Sequence, residues 1–373
     1  MLGTRGVPAA HGGFETAVEN IGLRLVERGW RVVVYCQDDE AGADRREDTW
    51  RGIERIHLPS RYDGAKGTIW FDQQAVRDAA RHRDLCLTMG YNTAFLNALL
   101  RARRIRNVVN MDGIEWKRGK WSRPKKTFLY ANERLGCLLG NHLIADHPEI
   151  ERHLATRVSG AKITMIPYGA PALRDSGLGP LAPFGLESRG YLTVVARPEK
   201  ENSILEMVTG FSRRPRHVKL LVLGDYRPEE FNYHRAVLDA ASDEVLFPGA
   251  IYDQEVVTAL RFHSIAYLHG HTVGGTNPSL VEALGSGNPV IAHDNVYNRW
   301  VAGDAGLYFA DTDSFEAALT RVLAEPGLRP QLAANACRRH REAFAWEAIT
   351  DQYEQVLSRY LTSSATSAAI RSR

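Results

Sequence analysis

The feature that most constrains this chain is an alternation. Short apolar runs recur along it, separated by segments whose apolar residues return every three to four positions. In the first half the runs are residues 32–35 (VVVY), 85–88 (LCLT), 107–110 (NVVN), 142–145 (HLIA) and 163–166 (ITMI). In the second half they are 192–195 (LTVV), 220–223 (LLVL), 245–247 (VLF), 265–268 (IAYL) and 289–291 (PVI). Strands without polar alternation are buried on both faces, as in parallel sheets covered by helices. Phe14, Val18, Ile21 and Leu25 predict a helix that stops at Gly29, and further helices are expected at 94–100, 128–139 and between 331 and 361.

The expected fold class is therefore α/β, with two Rossmann-like, doubly wound parallel-sheet domains facing a cleft. A chain of 373 residues exceeds what one core usually serves. The expected divisions are residues 1–172, a Gly/Pro-rich linker at 173–190, a second domain at 191–345, a helix at 346–361 returning to the first domain, and a disordered Ser/Thr/Ala-rich tail at 362–373. Only Met1 and Leu2 precede the first glycine-rich turn, whereas a strand usually has about five residues. A truncated first strand, with the true start upstream, is the expectation.

A net charge of +3 is too small to imply nucleic-acid binding. The four cysteines are scattered, which argues against a structural zinc site or a disulfide framework. No apolar run approaches the ~20 residues that span a bilayer, and no signal-peptide core is visible, so a cytoplasmic location is expected.

Several positions carry chemistry. Gly3, Gly6, Gly12 and Gly13 crowd the first turn, where backbone N–H groups could approach a phosphate or simply form a tight turn; the spacing is not that of a nicotinamide or flavin fingerprint. Residues 274–285 (GGTNPSLVEALG) place Asn277 at an N-cap and Pro278 at the first helical position, behind a loop containing Gly275 and Thr276, with Glu282 one turn in. The triplet Asp311-Thr312-Asp313 has the DxD shape of a metal site, but an N-cap at Asp313 suits the helical run after it. His269-Gly270-His271 reads as a loop near phosphates, without the acidic or cysteine partners of a metal site. His11 reads as a loop residue. No metal and no cofactor is expected.

Together with Pro167-Tyr168-Gly169, these motifs resemble family-4 retaining glycosyltransferases of the GT-B fold. Residues 3–16 (GTRGVPAAHGGFET), 112–121 (DGIEWKRGKW) and 267–282 (YLHGHTVGGTNPSLVE) are similar to a bacterial rhamnosyltransferase-like subgroup. The resemblance spans nearly the whole chain and implies transfer of a sugar from a nucleotide-diphosphate donor to a glycan or lipid-linked acceptor. It implies that Arg197, with Lys200 nearby, neutralises the donor diphosphate and that Glu282 holds the ribose. Gly12 and Gly13, together with Gly275, Thr276 and Asn277, would approach the donor, and Asp112 would stand near the transferred sugar. The first Glu of the family's paired-glutamate motif falls at Gly274, and the usual basic partner of Arg197 falls at Asn202. A same-fold sugar-nucleotide epimerase and a non-catalytic glycan- or partner-binding relative are the alternatives.

Residues 101–126 contain ten Lys/Arg against Asp112 and Glu115, with Trp116 and Trp121 among them. Glu115, Trp116, Lys117, Lys120 and Trp121 are therefore placed on the acceptor side or on a face meeting anionic membrane; a solvated basic face with buried tryptophans is the plain alternative.

Overall fold

The computed structural model describes residues 1–9, 12–39 and 44–361; His11 and the tail from 362 onward lie outside this set. The chain divides into two compact units, Met1–Pro167 with Trp346–Arg373, and Tyr168–Ala345.

The first unit contains β1 (Val33–Asp38), β2 (Arg46–Trp50), β3 (Ile53–Pro59), β4 (Cys86–Met89), β5 (Asn107–Asn110), β6 (His142–Ala145) and β7 (Ile163–Met165). They form two sheets, β1-β3-β2 and β4-β5-β6-β7, parallel throughout except for β2. Between β1 and β4 the slot of a first strand is held by Met1 and Leu2. The Leu2 N–H donates to the Leu87 carbonyl at 2.9 Å, the Met89 N–H to the Leu2 carbonyl at 2.9 Å, and the Tyr35 N–H to the Met1 carbonyl at 3.3 Å. Leu2 is buried against Tyr35, Ile56 and Phe71.

The β2–β3 hairpin was not visible in the apolar pattern, because β2 (REDTW) is mostly polar and exposed. Its signal was the Arg51-Gly52 pair. Both residues have positive φ, 50° and 85°, as a two-residue hairpin turn of matching twist requires.

The helix Gly13–Glu27 packs against the C-terminal helix Trp346–Ser358. Arg28 pairs with Glu347, Asp351 and Glu354 at 2.5–2.7 Å. Glu347 and Asp351 are mostly exposed, so those two pairs contribute little. Burial of Ile349, Tyr353, Val356 and Leu357 holds the helix, at about 1.5–3 kcal/mol per large apolar side chain.

Asp72, on the helix Gly64–Ala79, is buried and accepts a hydrogen bond from Thr93 Oγ1 at 2.6 Å. Burial raises its carboxyl to about 6, against the partial offset from Thr93. A carboxyl raised in the fold favours the protonated chain, so its contribution is present below the ordinary pKa and is lost as pH rises through about 6. Asp72→Asn is therefore expected to stabilise the protein by about 2 kcal/mol at mildly alkaline pH. That gain should vanish in acid, and thermal unfolding across pH checks it; equal gain at every pH would rule it out.

In the second unit, β8 (Tyr191–Val195), β9 (Lys219–Leu223), β10 (Val245–Leu246), β11 (Tyr267–His269), β12 (Val290–His293) and β13 (Gly306–Phe309) form one parallel sheet in the order β10-β9-β8-β11-β12-β13. Its core includes Leu192, Val194, Met207, Phe211, Leu220, Val222 and Ile291. The Gly/Pro-rich stretch before β8 packs onto this unit, with Leu181 and Leu186 buried. The strand order reverses between β8 and β11, so loops leaving their carboxyl ends diverge and open a crevice.

Two local expectations are corrected here. The helix Thr312–Ala324 is capped by Asp311, not Asp313: Asp311 Oδ1 accepts from the Ser314 N–H at 2.8 Å, and the Ser314 hydroxyl reaches back to the cap. Asp313 instead pairs with Arg213 at 2.5 Å. His269 is the last residue of β11 and not part of a loop.

Candidate functional site

The strand-order reversal brings together the loop after β8 and the loop after β11. Arg197 and Lys200 stand on the first, both exposed. Among the described residues no carboxylate pairs with either. Asn202 is buried, and its Nδ2 donates to the Arg197 carbonyl at 2.7 Å. It thus fixes the backbone of Arg197.

The β11 loop meets this turn at Gly270. A Cβ there would lie 2.0 Å from the Asn202 carbonyl oxygen, so only glycine allows the contact. The Thr272 N–H then donates to the Glu201 carbonyl at 2.8 Å. Gly270→Ala is expected to force the two loops apart and to cost about 2 kcal/mol. Urea unfolding would measure it, and an unchanged midpoint would refute the packing account.

Beyond Gly274 and Gly275 the chain enters the helix Pro278–Gly285. Asn277 Oδ1 accepts from the Ser279 N–H at 3.0 Å, with Pro278 opening the helix and Thr276 buried beside it. No acidic residue lies in the first turn. Glu282 is half-buried, and its carboxylate pairs with Arg261 Nη2 at 2.7 Å. Arg261 is itself buried. Arg261 escaped the sequence reading; its signal was a single cation inside the apolar run 256–262 (VVTALRF).

His269 is buried with neither ring nitrogen hydrogen-bonded, and its ring stacks on His271 at 4.3 Å and 9°. Burial, then the neighbouring His271 and His293, holds its pKa well below the ordinary value. The His269 imidazole is therefore neutral near pH 7, whereas Arg197 and Lys200 carry fixed positive charge. The His271 carbonyl accepts from Asn295 and Asn298 at 2.9 and 2.8 Å, which ties the β11 loop to the β12 end. Among the described residues, no group of three or more His, Cys, Asp or Glu side chains is arranged to hold a metal ion.

The first unit carries the other candidates. Gly12 caps and Gly13 opens the helix Gly13–Glu27. Glu15 is buried in its first turn and accepts the Arg5 N–H at 3.0 Å, while Glu19 accepts the Ala9 N–H at 2.6 Å. These carboxylates already use two of the loop's donors. Asp112 follows β5 with φ 52°, its N–H held by Asn110 Oδ1 at 3.0 Å. Its carboxyl is raised to about 6, mainly by burial and then by Glu115.

Glu115 pairs with Arg118 at 2.7 Å and accepts from Trp121 Nε1 at 3.3 Å. Trp116 Nε1 donates to Glu133 at 2.7 Å, and its ring meets Tyr130 edge-on at 5.3 Å. Lys117 lies over Trp116 at 5.6 Å, and Lys120 and Lys125 lie over Trp121 at 4.7 and 3.6 Å. Both indole N–H groups are therefore committed to carboxylates of the protein.

Residues 1–171 match a domain of unknown function, DUF1972, and residues 205–355 match a family described as glycosyl transferase-like. No curated protein matches the chain. Among solved structures it is similar to sucrose-phosphate synthase from Thermosynechococcus elongatus, at 20% identity and TM-score 0.79 over 93% of each chain. It is also similar to Anabaena HepE in complex with UDP and glucose, at 16% identity and TM-score 0.73 over 95% of this chain and 98% of that one. A third is the UDP-forming α,α-trehalose-phosphate synthase from Burkholderia xenovorans, at 14% identity and TM-score 0.72 over 96% and 99%. Sheet order and these likenesses together give the chain the GT-B fold, with a glycosyl transferase-like family matching its residues 205–355.

Proposed function

We propose that this chain is a glycosyltransferase that uses a nucleoside-diphosphate sugar, held by the second unit, and passes the sugar to a glycan or lipid-linked acceptor with retention at the anomeric carbon. The observation that carries this reading is the pair Arg197 and Lys200. They are exposed cations without carboxylate partners among the described residues, standing where the strand order reverses. As the glycosidic bond breaks, negative charge grows on the departing diphosphate. Cations and helix N–H groups aimed there stabilise the transition state more than the ground state, without requiring a metal.

Glu282 is assigned to the nucleotide ribose, with Arg261 holding its carboxylate in place. Gly275, Thr276 and Asn277 are assigned to the phosphates, and Gly12, Gly13 and Asp112 to the sugar. A carboxyl poised near 6, as in Asp112, suits a group that holds a sugar hydroxyl in either protonation state. UDP is the leading donor nucleotide, because the similar Anabaena and Burkholderia proteins are described with UDP or as UDP-forming.

A thermal-shift panel with UDP, dTDP and GDP and their sugars tests this. A true donor at ~100 times its Kd adds about 2.7 kcal/mol of apparent stability. Stabilisation by one nucleotide and its sugar, followed by transfer to an added acceptor, is expected. Isomerisation of the sugar without an acceptor would indicate an epimerase, and a flat panel on folded protein would overturn the reading.

A further inference from the structure

We propose that the outer face of the helix Arg123–Leu139 docks on an anionic lipid bilayer. The basic segment drew attention to Trp116 and Trp121, but both indoles are committed to Glu133 and Glu115. The apolar side chains that do face solvent lie on the helix that follows. Phe128 is 42% exposed and Leu138 68%, and Phe95, 37% exposed, meets Phe128 edge-on at 6.4 Å. With Ala131 exposed and Leu135 half-buried, positions 128, 131, 135 and 138 recur at helical spacing and make one apolar stripe.

Cations border the stripe. Lys125 and Arg134 are exposed on the same helix, and Arg101, Arg103 and Arg104 are exposed at the end of the adjoining helix Asn97–Ala102. Lys162 Nζ donates to the Cys137 carbonyl at 2.5 Å beside Leu138, close enough to Arg101 to feel its charge. Residues 94–140 contain three carboxylates, Asp112, Glu115 and Glu133, none of them fully exposed. Glu133 is buried and bound by Trp116, His153 and Arg157. The stripe thus carries positive charge that its own segment does not neutralise.

A bilayer interface satisfies both features at once. Aromatic and aliphatic side chains enter the headgroup boundary, and each nearby cation gains from anionic lipid. A nucleic-acid backbone would use the cations but leave Phe128 and Leu138 in water. No helix among the described residues is long and apolar enough to cross a membrane, so the contact proposed lies along the surface.

Sedimentation with vesicles tests the proposal independently of any donor. The whole protein is expected to sediment with phosphatidylcholine vesicles containing phosphatidylglycerol, less with phosphatidylcholine alone, and less as salt rises. Arg101→Gln and Arg134→Gln should each weaken binding about fivefold. Phe128→Ser with Leu138→Ser should weaken it without changing the salt dependence. Lys117→Gln with Lys120→Gln, at ammonium groups lying over indole rings, should change it less; unchanged thermal unfolding shows that each variant is folded. Indifference of the wild type to anionic vesicles at low salt overturns the proposal. So does wild-type binding by the Ser variant, or capture of a duplex oligonucleotide in place of vesicles.

Discussion

Replacing Arg197 with alanine is expected to lower kcat by a factor of about 10²–10³, the usual loss when one group stabilising developing charge is removed. The melting temperature should stay where it is. Arg197 is exposed and its guanidinium holds no carboxylate among the described residues, so folding does not depend on that side chain. Asn202 grips the main chain at this position and still positions an alanine. Arg197→Lys keeps the charge but loses the two-pronged geometry that matches a phosphate, and should recover part of the rate. Transfer kinetics at saturating donor make the measurement. A kcat within about twofold of wild type would remove Arg197 from the reaction.

The second large effect is on stability. Arg261→Ala is expected to cost about 3 kcal/mol, because it leaves the half-buried Glu282 carboxylate without its partner. The double variant Arg261→Met, Glu282→Met should regain most of that loss, since no buried charge remains. Glu282→Gln keeps a hydrogen-bonding group against Arg261 and should fold more stably than Arg261→Ala. It should nevertheless weaken nucleotide binding by about 1–3 kcal/mol. Urea unfolding and nucleotide titration on the same four proteins separate support of the fold from contact with the donor. If Arg261→Ala unfolds at the wild-type midpoint, the pair contributes nothing to the fold. If Glu282→Gln binds nucleotide normally, the ribose assignment fails.

Much of the second unit is legible in the sequence. A central parallel strand is covered on both faces, so it must be apolar along its whole length, and runs such as 192–195 and 220–223 have no other comfortable place. The Asn277-Pro278 cap is equally local, since the carboxamide reaches an N–H two residues away. Strands that sit at an edge need no such composition. That is why the polar β2 has no apolar signal, and its local mark is the Arg51-Gly52 turn.

What the sequence by itself determined is thus the repeated strand–helix unit and the capped helix carrying Glu282, because each depends on residues within a few positions of one another. The tertiary structure alone decided the rest. Strand order set which loops share the switch point and so placed Gly270 against Asn202. Packing of helix on helix brought Arg28 to Glu354 across 326 residues. Folding also paired Arg261 with Glu282, buried His269 at the end of its strand, and tied the indole N–H groups of Trp116 and Trp121 to Glu133 and Glu115 while leaving Phe128 and Leu138 exposed. A side chain's partner across such distances depends on where the backbone carries it, and no local pattern records that.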